Sequence, residues 1–254
     1  MIPYLFHIYG PIYANSYGIA IAIGIMIFTA FMLSDSRCAK LISSDQLQNT
    51  IVLSILIGVF GGRLLWVFGN WPMPIRETIE IWEGGLSVLG AVLAITLITP
   101  LYLRYIRVPI LPLLDLAAVY APLLQAFGRI GCFLAGCCYG LPTNLPWGIT
   151  YTHPDIHLPY KFQTIHPTQL YSALIFFTIF GLMYLILRKR YPKPGQLISL
   201  YLILSSSERF IVDFWRADHE YFDSSALHFL SIHQWISLGI ILVSSGFMFW
   251  RRSK

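Results

Sequence analysis

Four arginines stand in or beside strongly apolar runs of this chain. Arg63 lies within Thr50 to Gly69, Arg209 within Leu197 to Val212, Arg129 follows Val108 to Phe127, and Arg216 comes just after Val212. A guanidinium at bilayer depth costs roughly 3 kcal/mol on insertion scales, so each needs a partner, a water-filled cavity or a ligand. Arg209 and Asp213 stand at i and i+4, and Arg216 follows Asp213 at i+3, so ion pairing explains part of the set, with Glu208 as a further acid. Arg63 and Arg129 have no acid close in sequence. An anionic ligand is the second explanation, since a planar guanidinium meets phosphate with two parallel hydrogen bonds. At that depth the phosphate is a phospholipid head group. Asp115, near the other end of its run, is expected to meet Arg104 or Arg107 in a structural role.

The second chemical feature is the segment from Gly128 to Gly140, with glycines at 128, 131, 136 and 140 and cysteines at 132, 137 and 138. That glycine density predicts a loop in place of a helix, with exposed N–H groups that, beside Arg129, would form an anion-binding nest. A disulfide is the plain expectation for three cysteines on an oxidising side. The spacing is not a good zinc pattern and no metal site is expected, although His153, His157 and His166 are available in principle to complete one. Small apolar packing and a thiolate activated by Arg129 are the remaining options.

These residues must be positioned by membrane-spanning helices. Of 254 residues 56% are hydrophobic and only 11% charged, against roughly a quarter charged in soluble domains, which excludes a soluble globule, a coiled coil and a disordered chain. Apolar runs at Tyr17–Leu33, Thr50–Gly69, Leu86–Leu103, Val108–Phe127, Leu170–Leu187, Leu197–Val212 and Trp235–Trp250 predict an all-α integral membrane protein of about seven spans. Six spans with a re-entrant segment fit the same pattern. No basic residues precede the first run, so it is read as a retained span and not a cleaved leader. Eleven of the 17 Lys and Arg fall on one side of these spans, at 37, 40, 104, 107, 188–190, 193, 251, 252 and 254. The positive-inside rule then places the N-terminus outside and the C-terminus in the cytoplasm. The net charge of +5 is thereby a topology signal, and no nucleic-acid partner is expected. Residues 1–254 read as a single polytopic domain, with 128–168 as an external glycine- and cysteine-rich loop and cap. Neither a fixed-period repeat nor inverted halves are visible, which weighs against a transporter.

In this order the motifs resemble the prolipoprotein diacylglyceryl transferase family. They are Tyr17-Gly18, Gly61-Gly62-Arg63-Leu64, Trp82-Glu83-Gly84-Gly85-Leu86-Ser87, Gly128-Arg129-Ile130-Gly131, His166-Pro167-Thr168-Gln169-Leu170-Tyr171, and Arg209-Phe210-Ile211-Val212-Asp213-Phe214 with Arg216. The resemblance implies a bacterial inner-membrane enzyme that moves the diacylglyceryl group of phosphatidylglycerol to the lipobox cysteine of a prolipoprotein, releasing glycerol phosphate. It implies no cofactor. Its partners are phosphatidylglycerol, membrane lipid and a prolipoprotein signal peptide, and the chain is expected to act as a monomer. By position, Arg129, Arg209, His166 and Tyr17 are catalytic candidates. Arg63, Arg129, Arg209, Arg216, Gly128, Gly131 and Gln169 are expected to bind the phospholipid, supported by Glu208 and Asp213. The chain departs from the family pattern where a histidine is usual and Leu89 stands, at Cys132, Ala135 and Cys137 where asparagine, asparagine and glutamate are usual, and at Ser172 where glutamate is usual. His166 or Tyr17 would then have to activate the thiol. The rival reading is a phospholipid-binding or transport protein, or a transferase with another acceptor, that has lost or altered the chemistry.

Overall fold

The computed structural model describes residues 4–9, 12–80, 84–154, 156, 158–191, 193–218, 221 and 229–253. Trp82 and Glu83 of the third motif, and His157, lie outside the described residues. Seven principal helices follow in chain order: α1 (Ser16–Ser34), α2 (Ser44–Gly69), α3 (Val88–Tyr105), α4 (Ile110–Ala135), α5 (Thr168–Leu182), α6 (Gln196–Val212) and α7 (Ile232–Ser253). A π-helical turn, Met183–Leu187, carries α5 on to Arg190. Strands β1 (Tyr4–Tyr9) and β2 (Ile12–Asn15) form one small sheet, and β3 (Ile149–Thr150) and β4 (Thr164–Ile165) another. All the principal helices except α6 are long and apolar enough to cross a membrane, six in number among the described residues. The chain is a multi-pass, all-α membrane protein. The remaining apolar run, Leu197–Val212, is α6, whose 17 residues make it shorter than α5 taken with its continuation to Arg190.

Local chemistry sets the helix starts. Ser43 and Gln46 form a reciprocal capping box at α2, each backbone N–H held by the other's side chain at 3.3 Å. Ser87 caps α3 by accepting from the Gly90 N–H at 3.3 Å.

The fold divides into two compact units. In the one comprising residues 7–13 and 32–113, α2 and α3 pack through small residues. A Cβ on Gly58 would lie 2.9 Å from Ile95 Cδ1, and one on Gly61 2.8 Å from the Gly90 carbonyl oxygen. Without a hydrophobic drive between helices in lipid, such close backbone approach is what holds a pair together. Ser54 and Thr99 add a hydroxyl contact of 3.1 Å.

The other unit comprises residues 1–6, 14–31 and 114–254. Gly24 of α1 seats against Leu124 and Phe127 of α4, where a Cβ would meet each at 3.0 Å. Phe31, Tyr120, Phe180 and Tyr184 stack with ring centroids between 5.5 and 6.1 Å apart. Asp115 has a structural role, but with a different partner from the arginines expected. Its two carboxylate oxygens accept from the Gly195 and Ile198 N–H groups at 2.6 and 2.8 Å, capping the start of α6. A carboxylate there answers both the orphan donors and the positive end of the helix dipole.

The expected start of the external loop at Gly128 also needs correction. Residues 128–135 are helical, and α4 ends only where Gly136 adopts φ +76°. The reason lies in packing. A Cβ on Gly131 would sit 3.0 Å from Ala20 Cβ and 3.2 Å from Tyr17 Cα, and one on Gly128 3.2 Å from Ile21 Cδ1. These glycines let α1 approach α4, and that gain outweighs the roughly 1 kcal/mol per residue that glycine costs a helix.

Candidate active site

Arg63 belongs to the first unit and is 8% exposed. Its five N–H groups are all taken by backbone carbonyls. Nε donates to Thr78 at 3.1 Å, Nη1 to Gly84 and Gly85 at 2.6 and 2.9 Å, and Nη2 to Glu77 and, at 3.3 Å, Glu80. The guanidinium also lies over the Trp66 ring, 4.4 Å from its centroid. Arg63 therefore pins the connection between α2 and α3 and has no donor left for a phosphate, which corrects the expectation that it binds lipid. Leu89, where the resemblance led one to look for a histidine, is 63% exposed on α3.

The second unit gathers the remaining arginines. Asp213 follows α6 and is buried; its Oδ1 lies 3.2 Å from Arg209 Nη2 and 3.8 Å from Arg216 Nε. Its other oxygen accepts from the Ser231 hydroxyl. Arg216 is fixed further by Asp218, a partner sequence reasoning missed although it stands two residues away, through a fork with distances of 2.9 and 2.6 Å. Arg209, Arg216 and Arg129 are close enough for their charges to act on one another. Among the described residues, no carboxylate or carbonyl accepts a hydrogen bond from the Arg129 side chain, and Arg209 has only its ion pair with Asp213. Two guanidiniums thus retain donors for an incoming anion. Glu208 does not neutralise them as expected. It is 3% exposed, its Oε1 has no hydrogen-bond partner among the described residues, and it lines a cleft of about 350 Å³ between α5 and α6 with Leu174, Thr178, Leu204 and Ile211.

The cysteine turn sits against this cluster. Cys132, Cys137 and Cys138 are free thiols whose sulfurs lie within 4.8 Å of one another, so the disulfide expected here is not formed. Cys132 is on the last turn of α4, and the chain doubles back over it, the Cys137 N–H reaching the Cys132 carbonyl at 3.1 Å. Cys138 takes φ +60°, a left-handed conformation that costs a non-glycine residue roughly 1–2 kcal/mol. The start of α5 holds this turn in place: Thr168 Oγ1 donates to the Cys138 carbonyl at 2.8 Å and Gln169 Nε2 to the Cys137 carbonyl at 2.7 Å. The Cys138 thiol is pushed well down by hydrogen bonds from the Cys132 and Cys137 thiols, helped by the charges of Arg216 and Arg129 against the effect of burial. Cys137 is correspondingly pushed up. Tyr17 stands within electrostatic range of all three cysteines and of Arg129. The expected nest of free N–H groups at Gly128 and Gly131 is absent, because those groups lie within the helix.

His166 enters α5 with its N–H on the Leu141 carbonyl at 3.0 Å. Its Nδ1 lies 3.2 Å from the Tyr171 hydroxyl, which also accepts from Trp147 Nε1 at 2.9 Å. Burial pushes the imidazole below its ordinary range, so it is neutral at neutral pH. Gly140 makes this crossing possible: a Cβ there would meet His166 Cβ at 2.6 Å and the Trp215 carbonyl oxygen at 2.9 Å. Tyr151, which sequence reasoning did not single out, is wholly buried, donates to the Phe133 carbonyl at 2.9 Å and accepts from Gln169 Nε2 at 3.3 Å. Nothing in its local sequence marks it apart from other tyrosines of the loop.

Fold and site together define a polytopic membrane protein that presents an arginine cluster, part of it paired with Asp213 and Asp218, beside a turn of thiols. A family model described as prolipoprotein diacylglyceryl transferase matches residues 3–250, and the chain belongs to that family. It is 36% identical over 252 residues to the phosphatidylglycerol–prolipoprotein diacylglyceryl transferase of Clostridium tetani, a match covering 96% of this chain and 95% of the relative. Over 228 residues it is 34% identical to the protein of the same description from Fervidobacterium nodosum, covering 85% and 75%. Against transferase 2 of that description from Clostridium perfringens it is 31% identical over 230 residues, covering 89% and 87%.

Proposed function

We infer that this chain transfers the diacylglyceryl group of phosphatidylglycerol to the lipobox cysteine thiol of a prolipoprotein and releases glycerol phosphate. The observation that carries this reading is the free donor capacity of Arg129 and Arg209, held beside Arg216 in one unit of a family member. In the transfer, the acceptor sulfur attacks a glycerol carbon, the carbon–oxygen bond to phosphate breaks, and the electron pair leaves on the phosphate oxygen. Charge grows on that phosphate, so donors already oriented toward it lower the barrier. Arg129 and Arg209 are the catalytic residues for this step. Arg216, locked by Asp213 and Asp218, positions Arg209 through their shared carboxylate. His166, neutral at neutral pH, takes the thiol proton, and Tyr17 stands beside Arg129 and the cysteine turn. Gly128 and Gly131 serve the site by letting α1 lie against α4, and Gln169 by holding the cysteine turn. The cleft between α5 and α6 suits an acyl chain, its walls being almost wholly aliphatic.

The charge asymmetry of the loops supports an external N-terminus, a cytoplasmic C-terminus and a site at the outer leaflet of the bacterial inner membrane, with residues 136–167 as an external cap. The chain acts as a monomer in this reading. Complementation tests it: in a bacterium depleted of its own transferase, expression should restore lipoprotein processing and growth. Failure to restore either, with the protein present in the membrane at normal level, would contradict the reading.

A further inference from the structure

The three thiols have no part in the transfer described above, yet the fold goes to some length to bring them together. Helix α4 stops at Ala135, Gly136 and Cys138 both take positive φ, and the two vicinal cysteines fold back over Cys132. Thr168 and Gln169, themselves 1% exposed, then fix the carbonyls of Cys138 and Cys137. The outcome is three sulfurs within 4.8 Å of one another. A metal–sulfur bond of about 2.3 Å sets the sulfurs around one tetrahedral ion roughly 3.8 Å apart, so small side-chain adjustments suffice.

We propose that Cys132, Cys137 and Cys138 form a binding site for one thiophilic d10 cation, of the zinc, cadmium or copper(I) class, with three thiolate ligands and the fourth position open. Thiolates select such ions over magnesium or calcium, which require oxygen. Three thiolates and a divalent ion leave one net negative charge. Arg129 and Arg216, whose charges act on Cys138, offset it. Cys137 is exposed and provides the way in. Binding forms three metal–sulfur bonds, sends the remaining thiol protons to solvent and changes no oxidation state.

Cadmium is the probe. The full chain, purified in detergent with a phosphine reductant, should develop a sulfur-to-metal charge-transfer band that saturates at one ion per chain. X-ray absorption of the loaded natural protein should show three sulfur scatterers. Cys132→Ala and Cys138→Ala should each weaken cadmium binding by more than about 100-fold, beyond what loss of a supporting hydrogen bond costs a metal site, while Cys38→Ala should leave it unchanged. Fewer than three sulfurs around the ion, or equal loss in the Cys38→Ala protein, would overturn the proposal. The absorption measurement needs no variant, so misfolding of a substituted chain does not affect it. Lipid transfer by the metal-free protein is read separately, and either result leaves the metal measurement standing.

Discussion

Arg129 and Arg63 show how two arginines of similar sequence setting part company once their partners are known. Arg129 keeps its donors, and Arg63 spends all five on carbonyls of one connection. Arg129→Ala and Arg209→Ala should each lower turnover by roughly 10²–10³-fold, the usual loss when one donor to a developing anion is removed, with little change in thermal stability. Arg63→Ala should do the reverse, destabilising by about 2–4 kcal/mol as the hydrogen bonds from one buried charged donor to five carbonyls are lost, and Arg63→Lys should not restore it because one ammonium cannot span that set. Turnover assays paired with thermal unfolding separate the two classes. His166 gives a pH prediction. Burial depresses its folded value, so the folded chain holds fewer protons than the unfolded one below the ordinary value of about 6.5. Stability from this group is therefore complete above that value and falls as pH drops through and below it. Turnover that needs neutral imidazole should decline at a more acid pH than the ordinary histidine value sets. His166→Gln should abolish that acid limb along with most activity, and an unchanged limb would remove His166 as the base. The Arg209, Asp213 and Arg216 set was legible from helical spacing alone. The Arg63 cradle was not, since its acceptors are backbone oxygens whose positions exist only after the chain folds.

Among the elements, α4 departs most from what its residues suggest. Its glycines at 128 and 131 resemble a loop signal, and single-helix propensity gives no way to see α1 lying against them. Small residues in a lipid-facing pair mean close packing as readily as flexibility, and only the partner helix distinguishes the two. Gly131→Leu should push α1 away from α4 and cost about 1–3 kcal/mol by overpacking, lowering turnover as well because Tyr17 is carried on α1. A loss of stability without any change in turnover would show that the α1 surface is remote from the chemistry. The cysteine turn was likewise half legible. Proximity of the three residues followed from sequence, but the hold of Thr168 and Gln169 on the carbonyls of Cys138 and Cys137 joins segments thirty residues apart and has no local signal.

For the whole molecule, apolar run lengths anticipated seven helices, and the scarcity of charge made the few arginines informative. Short α6 survives at 17 residues because it is capped by Asp115 at its start and anchored through Asp213 just beyond its end. Orientation has a direct check: in intact cells treated with metal chelator and reductant, a membrane-impermeant maleimide should label Cys137 from outside, and labelling of that exposed thiol only after permeabilisation would invert the topology. The central claim is chemical, however. Purified protein incubated with phosphatidylglycerol carrying a labelled diacylglyceryl group and a lipobox peptide should yield a peptide heavier by that group through a thioether, together with free glycerol phosphate. Lipid bound tightly to Arg129 and Arg209 with no thioether formed would contradict the account and leave a lipid-binding protein in place of a transferase.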